Sequence, residues 1–303
     1  MALLPDLEAW AIFAKVADLG SFSAAASDLG LSKPTVSKAV SRLEARLGAP
    51  LFHRTSRRLS LTTSGEASLE RAQRILAEGE AAEEEATAQS VEPRGRVRLT
   101  APLSFGTRYV APLLPAFLAR FPQVTVELDL ADHVVDIVGE GFDVAIRIGT
   151  PEDSSLRGRR LCAIAGLVVA APGWFDTHGH PTHPRDLEGA GALLYSNLVQ
   201  PNLWHFTHPT RREATVRMET RMLANNGDVL IPALKAGEGI AVLPEFIVGD
   251  EVKSGALERT LDDWTINESG LHVLTPPGMH RPVRVRALVD YLAEALSAAP
   301  WAG

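Results

Sequence analysis

The most constraining feature of this sequence is a pair of short helices joined by a glycine turn and followed by a hairpin, all within Gly20–Thr63. Ser23 is expected to cap the first helix, Ala24–Leu29, because a serine side chain satisfies free N–H groups at a helix start. Gly30 then supplies the turn. Ser32 is expected to cap the second helix, so the segment predicts two helices packed at close range.

A further helix is predicted before this pair. Asp6 is a suitable N-cap, the apolar pattern runs to about Leu19, and Gly20 is typical of a helix end. The side chains expected on its buried face are Leu7, Trp10, Ala14 and Ala17. The chain therefore begins with a small three-helix domain.

The helix after Ser32 has two contrasting faces, and Pro34 fits its first turn. Its predicted apolar stripe consists of Val36, Val40, Leu43 and Leu47. At about 100° per residue, Thr35, Lys38 and Arg42 fall on the opposite side. Hydroxyl and cationic groups suit the acceptor-lined major groove of DNA. The alternative is an ordinary surface helix with a solvated polar face.

The hairpin favours the DNA interpretation. Residues 51–54 and 59–62 alternate as two strands, and three arginines lie in or between them: Arg54, Arg57 and Arg58. Although the net charge of the chain is −7, residues 1–62 hold eight Lys or Arg against five Asp or Glu. A cationic domain in an acidic chain is the asymmetry expected when one part contacts phosphate.

This segment resembles the winged helix-turn-helix of LysR-type transcriptional regulators. The matching residues are Phe22, Ala24-Ala25-Ala26, Leu31 to Ser37, Leu43-Glu44, Leu47-Gly48, Pro50-Leu51-Phe52, Arg54 and Leu61 to Gly65. Lys33 stands where that family commonly has Gln, which leaves the operator preference open. The residues expected to contact DNA are Ser23, Ser32, Lys33, Pro34, Thr35, Ser37, Lys38, Arg42, Arg54, Arg57 and Arg58.

A long acidic helix is predicted next, starting at a capping box formed by Thr63 and Glu66 and running to about Gln89. Its apolar seam is Leu69, Ala72 and Leu76, with Ile75 and Ala82 beside it. A lone helix must bury such a seam, and a second copy of the chain is one solution. The alternative is a solvated linker. The resemblance implies a homodimer through this helix and a homotetramer.

Beyond a hinge near Pro93, strand and helix patterns alternate. Strands are predicted at 97–100, 124–130 and 143–148, and helices at 109–120 and, capped by Asp132, at 132–139. This order predicts a parallel sheet with helices on both faces. A second such series spans about 161–268, and a last helix, 283–296, is expected to return to the first.

The resemblance covers the whole chain and implies a fold class with three parts. These are an N-terminal all-α winged helix-turn-helix, a long linker helix, and a C-terminal α/β two-lobed effector domain like the periplasmic binding proteins. The expected bounds are 1–62, 63–92 and 93–303, with lobe I at about 93–163 and 269–303 and lobe II at about 164–268.

A ligand site is expected between the lobes, past the carboxyl ends of strands. The candidate residues are Thr100, Pro102, Ser104, Phe105, Arg147, Gly149, Asn197, Trp204, Asn226 and Gly227. Hydroxyl and N–H groups at helix starts suit an anion. Together with these donors, the resemblance implies that the ligand is a small metabolite that is carboxylate-bearing or aromatic.

Several other classes of function are disfavoured. The sequence has no nucleophile elbow, phosphate loop or C-x-x-C motif, so an enzyme or a cofactor-binding protein is not expected. His178, His180 and His183 invite a zinc site, but they lie in a Pro-rich loop and no metal is predicted. Cys162 is the only cysteine and is expected to be a buried structural residue.

The remaining expectations concern location and partners. A transport receptor would need export, whereas no signal peptide or membrane span is recognised, and a cytoplasmic location is expected. The predicted partners are double-stranded DNA, a small-molecule effector and further copies of the chain. RNA polymerase is a further candidate partner, and no membrane partner is expected.

Overall fold

A computed structural model describes residues 4–54, 59–86, 92–149, 156–210, 213–266, 269–277 and 281–297, with the backbone alone for 54 and 81–86. The chain divides into two compact units. The first unit holds Met1–Glu92, Val138–Gly141 and Gly278–Val283. The second unit holds Pro93–Ile137, Phe142–Pro277 and Arg284–Gly303.

The first unit is built from helices and a short hairpin. The elements are α1 (Leu7–Leu19), α2 (Phe22–Asp28), α3 (Lys33–Leu47), β1 (Phe52–Arg54), β2 (Leu59–Leu61) and α4 (Thr63–Ala86). Strands β1 and β2 pair antiparallel, with Phe52 opposite Leu61. This is the winged helix-turn-helix that the sequence predicted.

The buried faces of α1 and α3 differ from the predicted stripes. In α1 the core residues include Ile12, Phe13 and Val16, whereas Leu7 is 55% exposed. In α3 the core residues include Val36 and Val40 as predicted, but Leu47 is exposed. The predicted stripe of α1 therefore missed the residues at its centre, whereas the stripe of α3 was wrong only at its last residue, Leu47.

The helix caps are local and were mostly predicted correctly. Asp6 accepts a hydrogen bond from the Ala9 amide at 3.2 Å, and Ser32 accepts one from the Thr35 amide at 3.2 Å. The prediction for α2 was wrong: Ser21, not Ser23, is the N-cap and accepts from the Ala24 amide. Helix α2 therefore begins at Phe22, whose ring packs against Phe52.

The hairpin is fastened to α3 and α4 by side-chain hydrogen bonds. Glu44 accepts from the amides of Leu51 and Phe52 at 2.9 and 3.3 Å. Thr62 donates its hydroxyl to the Pro50 carbonyl at 2.6 Å and accepts from the Gly65 amide at 3.0 Å. The predicted cap of α4 was therefore one residue late, since Thr62 rather than Thr63 performs it.

The apolar seam of α4 is used within its own unit. Ala72 is fully buried in the core of the first unit, and Leu69 and Leu76 pack against that core. Helix α4 lies against α1. The sequence predicted that a second copy of the chain would cover this seam; within one chain Ala72 is already covered, whereas Leu69 and Leu76 are only partly buried.

The second unit alternates strands and short helices. Its first part contains β3 (Gly95–Ala101), α5 (Leu103–Phe105), a π-helical turn (Gly106–Val110), a 3-10 turn (Ala111–Leu113), α6 (Leu114–Arg120), β4 (Val124–Leu130), β5 (Val144–Gly149) and β6 (Arg157–Ile164). Its middle part begins with β7 (Gly166–Ala170), α7 (Pro172–His178), a 3-10 turn (Pro184–Leu187), β8 (Gly191–Tyr195), β9 (Leu203–Thr207), β10 (Ala214–Arg217) and β11 (Glu219–Ala224).

The middle part continues with a 3-10 turn (Asp228–Leu230), α8 (Ile231–Lys235), β12 (Ala241–Pro244), α9 (Glu245–Lys253), β13 (Glu258–Thr260) and β14 (Thr265–Ile266). The chain then returns through β15 (Ser269–Thr275) and α10 (Val283–Ser297).

The strands form a first lobe and a second lobe. The first lobe has one mixed sheet in the order β4-β3-β5-β15-β6, in which β15 runs antiparallel to both neighbours. The second lobe contains the sheets β11-β8, β12-β7-β13 and β10-β9-β14. The predicted parallel pairing of the first three strands is confirmed, since β3 runs parallel to both β4 and β5. The sequence did not predict that the return strand β15 enters between β5 and β6 and makes the sheet mixed.

Of the two helices predicted in the first lobe, the one at 109–120 forms but starts earlier, and the one at 132–139 does not form. The helical run begins at Leu103 rather than Tyr109, because it starts directly after β3. No helix forms at 132–139, where the described backbone makes bends and turns. Asp132 instead accepts a hydrogen bond from the Leu103 amide at 3.0 Å, so it caps the start of a different helix.

The last helix packs on the first lobe, as predicted. Leu288 and Leu292 of α10 are buried in the same core as Val97 and Leu99 of β3. Tyr291 also donates a hydrogen bond to the Leu113 carbonyl at 3.0 Å. The chain thus crosses between the lobes near Ala165, crosses back before β15, and ends on the lobe where the unit began.

Candidate nucleic-acid interface and ligand cavity

Helix α3 separates an aliphatic side from a polar side. Val36, Ala39, Val40 and Leu43 are between 0% and 3% exposed. The predicted contact residues on the helix and at its start are exposed, except for the half-buried Ser37; they are Ser32, Lys33, Pro34, Thr35, Lys38 and Arg42. Because burial of Val36 and Val40 orients the helix, its polar side faces away from the core.

The hydroxyl groups at the start of α3 bind each other. Ser32 Oγ lies 2.8 Å from Thr35 Oγ1, in addition to capping the Thr35 amide. Pro34 lies in the first turn, where its missing N–H removes no helical hydrogen bond. The start of α3 is therefore capped by a side-chain hydrogen bond.

Arg42 is engaged within the first unit. Its Nε donates to Asp6 Oδ2 at 2.5 Å, a terminal nitrogen donates to Asp6 Oδ1 at 3.3 Å, and Glu8 lies 3.7 Å away. The Arg42 hydrogen bond holds the pKa of Asp6 below its usual value and raises the pKa of Arg42. The sequence assigned Arg42 to DNA, whereas the structure uses it to tie α3 to the start of α1.

The lysines of α3 are differently placed. Lys33 and Lys38 are exposed, and neither forms an ion pair with any residue in the described ranges. A flexible ammonium group of this kind can reach phosphate or a guanine edge. Among the described residues of α3, Lys33 and Lys38 are therefore the cationic side chains that no ion pair occupies.

The hairpin is positioned by aromatic packing. The ring of Phe52 in β1 lies 5.3 Å from that of Phe13 and 5.6 Å from that of Phe22. Arg57 and Arg58, and the side chain of Arg54, lie outside the described residues. Ser23 is exposed on the first turn of α2.

A cavity of about 190 Å³ lies between the two lobes of the second unit. The predicted residues that line it are Pro102, Ser104, Phe105, Gly149, Trp204, Asn226 and Gly227. All of them except Trp204, which lies within β9, are at the ends of β3 and β5 or at the start of the turn after β11, as expected when ligands bind past strand ends.

Three predicted residues do not line the cavity. Thr100 is fully buried and accepts a hydrogen bond from Arg147 at 3.3 Å. Asn197 donates to the Tyr195 hydroxyl at 3.1 Å and to the backbone carbonyl of Asp132. These side chains support the walls of the cavity.

A set of polar side chains, here called the interlobe network, connects the lobes at one end of the cavity. Asn226 donates to Asp132 Oδ2 at 2.6 Å and to Ser104 Oγ at 3.1 Å. Ser104 donates to Asp228 Oδ2 at 2.6 Å, and Arg108 donates to Asp228 Oδ1 at 2.6 Å. Ser104 and Asn226 are buried and fully engaged with the chain itself.

The sequence did not identify Asp132 as a cavity residue. Its carboxylate accepts from the Leu103 amide and from Asn226, which are donors that the sequence interpretation reserved for an anionic ligand. No local signal distinguishes this role, because both partners are distant in sequence.

The remaining wall is largely apolar. Ile164, Leu193, Leu243 and Phe246 line it in addition to Phe105 and Trp204. Among the described residues that line it, none is Arg, Lys or His. Tyr195 is also part of the wall, and burial raises the pKa of its phenol.

The predicted histidine motif packs on aromatic rings. The ring of His178 stacks on Trp174 at 4.4 Å, and that of His180 stacks on Phe175 at 4.6 Å. Within the part of the chain that the structure describes, no three His, Cys, Asp or Glu residues are placed to hold a metal ion.

Cys162 is half-buried, and burial raises the pKa of its thiol. Across the described ranges, no helix is both long and apolar enough to pass through a membrane.

Comparison with known families matches both units. Residues 7–66 match the model described as the bacterial regulatory helix-turn-helix protein, lysR family. Residues 90–297 match the LysR substrate binding domain. Together these matches cover most of the chain.

Individual relatives agree along their full length. The HTH-type transcriptional regulator PtxR of Pseudomonas aeruginosa is 39% identical over 289 residues, which cover 95% of this chain and 92% of that protein. The HTH-type transcriptional regulator DmlR of Escherichia coli is 31% identical, with 96% of this chain and 94% of that protein covered.

Solved structures are similar as well. CrgA, a LysR-type transcriptional regulator of Neisseria meningitidis, is 29% identical with a TM-score of 0.58, covering 98% of this chain and 100% of that one. The virulence activator AphB of Vibrio cholerae is 26% identical with a TM-score of 0.59, covering 96% and 99%. The named relatives are transcriptional regulators rather than enzymes.

Proposed function

The chain belongs to the LysR family of DNA-binding transcriptional regulators with an effector-binding domain, and from that premise we propose how its own residues divide the work. In this proposal α3 and the hairpin bind operator DNA. The cavity between the lobes binds a small, largely apolar or aromatic metabolite. The corresponding bounds are 1–62 for DNA binding, 63–92 for the linker and 93–303 for the effector domain.

The observation that carries the DNA assignment is the orientation of α3. Its aliphatic residues Val36 and Val40 are fully buried, which leaves Lys33 and Lys38 on the solvent side. A rigid helix with hydroxyl and ammonium groups at its start fits the geometry by which such a helix enters the major groove. Arg42 contributes by holding α3 against α1. The hairpin arginines Arg54, Arg57 and Arg58 contact phosphate.

Assembly as a homodimer through α4, and as a homotetramer, is also proposed. A dimer would present two copies of α3 to two half-sites of DNA. Since Leu69, Ala72 and Leu76 pack on the core of their own unit, the partner would contact other faces of α4. Contact with RNA polymerase and a cytoplasmic location are proposed from family membership alone.

The ligand assignment rests on the wall of the cavity. Phe105 and Trp204 are both less than 5% exposed and lie among aliphatic side chains. A planar or aliphatic body would bury apolar surface there, at about 25 cal/mol per Å². An aromatic metabolite is therefore supported more strongly than a small, highly polar one.

The DNA assignment is tested by measuring affinity for a fragment of a bound promoter over a range of salt concentrations. Each phosphate neutralised contributes a slope of about −0.9 in log K against log salt. Lys38→Ala should weaken binding and reduce that slope by about one. The matched control is Lys253→Ala, an exposed lysine of the second unit, which should leave both unchanged. If the two variants have the same DNA affinity and the same salt dependence, the proposed DNA-binding face of α3 is wrong.

A further inference from the structure

The cavity between the lobes already contains a carboxylate of the chain itself. Asp132 lines the cavity, and its Oδ1 and Oδ2 accept hydrogen bonds from the Leu103 amide at 3.0 Å and from Asn226 at 2.6 Å. We propose that Asp132 makes this cavity reject carboxylate ligands and select uncharged or cationic ones. This inference rests on the proposed function of the cavity as the ligand site.

The first argument concerns hydrogen-bond donors. Asn226 is held on both sides, since its amide nitrogen donates to Asp132 and Ser104 and its oxygen accepts from the Asp228 amide at 2.9 Å. The Ser104 hydroxyl donates to Asp228. A ligand carboxylate would need several donors to replace its lost water. At this end of the cavity those donors already serve Asp132 and Asp228.

The second argument concerns charge. Arg108 is the cation of the interlobe network, and it pairs with Asp228 at 2.6 Å. Asp132 forms no ion pair with any residue in the described ranges, and no Arg, Lys or His is among the described residues that line the cavity. A second carboxylate would therefore lie beside that of Asp132, which no ion pair with a described residue neutralises, in a partly desolvated site where repulsion is weakly screened.

The third argument concerns what the site offers instead. A carboxylate oxygen can accept more than one hydrogen bond, so Asp132 can still bind an N–H or O–H group of a ligand. The Tyr195 hydroxyl accepts from Asn197 at 3.1 Å, so its own proton can be donated to a ligand, and burial raises the pKa of the phenol. A ligand with a donor and an acceptor on an apolar body, such as an aromatic amide, matches this pair.

Three isosteres separate the charge states without changing shape: benzoate, benzamide and benzamidinium. Their affinities for the full chain can be measured by ligand-observed NMR at constant ionic strength. The indole N–H resonance of Trp204, assigned with Trp204→Phe, reports whether a probe enters the cavity. We expect benzamide and benzamidinium to bind at least about tenfold more tightly than benzoate, which corresponds to about 1.4 kcal/mol.

Asp132→Asn removes the charge with little change in size. It should reduce the preference for benzamide over benzoate by at least about threefold. Asp250→Asn makes the same change at a carboxylate that is 98% exposed and does not line the cavity, and it should leave the preference unchanged. The wild-type ratio needs no variant, so it tests the proposal even if Asp132→Asn does not fold.

The outcomes distinguish this inference from the proposed function. If benzoate binds the wild type as tightly as benzamide at the Trp204 site, the charge selection is wrong and the cavity remains a ligand site. If Asp132→Asn binds benzamide but keeps the wild-type ratio, Asp132 is not the selecting residue. If none of the three probes shifts the Trp204 resonance, the proposed ligand site itself is refuted, and the inference fails with it.

Discussion

Two glycines of α4 should respond in opposite ways to the same substitution. A Cβ built on Gly65 lies 2.2 Å from the backbone oxygen of Leu51 and 3.0 Å from Leu61 Cδ2, whereas a Cβ built on Gly79 meets no atom within 4 Å. Gly→Ala in an open helical position stabilises by about 0.5–1 kcal/mol. Gly79→Ala should therefore stabilise α4 by that amount.

Gly65→Ala gains the same helix propensity but cannot be accommodated without moving the hairpin backbone. Forcing an extra carbon into a packed site costs about 1–3 kcal/mol. The net effect should be a loss of about 1–2 kcal/mol. Because the clash falls on the residue that leads into β1, the loss should include the hairpin as well as α4.

Hydrogen exchange read by mass spectrometry measures both effects in the intact chain. Exchange in peptides from 4–54 and 59–80 should be faster in Gly65→Ala and slower in Gly79→Ala, with the second unit unchanged. If Gly65→Ala protects the hairpin as well as Gly79→Ala does, the close approach of α4 to Leu51 is wrong.

Three further variants test the core, an ion pair and the interlobe network. Leu43→Ala should cost about 2–5 kcal/mol in urea unfolding, whereas Leu47→Ala should change stability by less than about 0.5 kcal/mol, since Leu43 is 1% and Leu47 44% exposed. Because the hydrogen bond from its arginine partner on α3 lowers the pKa of Asp6, that carboxylate stabilises the folded state above its unfolded pKa of about 3.9. The stability difference between wild type and Asp6→Asn, followed by circular dichroism, should therefore be constant near neutral pH and shrink as pH falls below that value. Asn226→Ala should destabilise the second unit by about 1–3 kcal/mol in thermal unfolding because it leaves buried partners unsatisfied, whereas Asn225→Ala, at an exposed neighbouring position, should change little.

The helices of the first unit could be predicted from the sequence because short-range interactions define where they begin and end. Asp6 and Ser32 cap their helices, and Gly30 adopts a φ of +64° at the turn between α2 and α3. Each signal depends on atoms within a few residues of the chain. This is also why the order of elements in the first unit was predicted correctly.

Errors arose where a contact distant in sequence chooses between adjacent candidates. Thr62 and Thr63 can both cap α4, and Thr62 is selected because its hydroxyl also reaches the Pro50 carbonyl. Residues 132–139 carry a helix-like pattern. Val135 and Ile137 are instead buried in a segment without helix, and Asp132 is held by Leu103 and Asn226.

Contacts distant in sequence also limited the prediction of the cavity. Strand ends and helix starts located Ser104 and Asn226 correctly at its wall, because that geometry follows from the topology of α/β sheets. The sequence could not show that these donors are occupied by Asp132 and Asp228. Counting donors from the sequence therefore located the wall of a cavity but did not show whether those donors are free.

Arg42 illustrates why the exposed side of a helix is not equivalent to a binding surface. Helical periodicity placed Arg42 and Lys38 on the same side of α3, and both are exposed. The guanidinium, with its planar fork, is held by Asp6 in two hydrogen bonds, whereas the Lys38 ammonium forms no ion pair with the described residues. Substituting Arg42 would therefore remove its ion pair with Asp6 as well as any DNA contact. Lys38 is the position at which a loss of DNA affinity can be separated from a loss of structure.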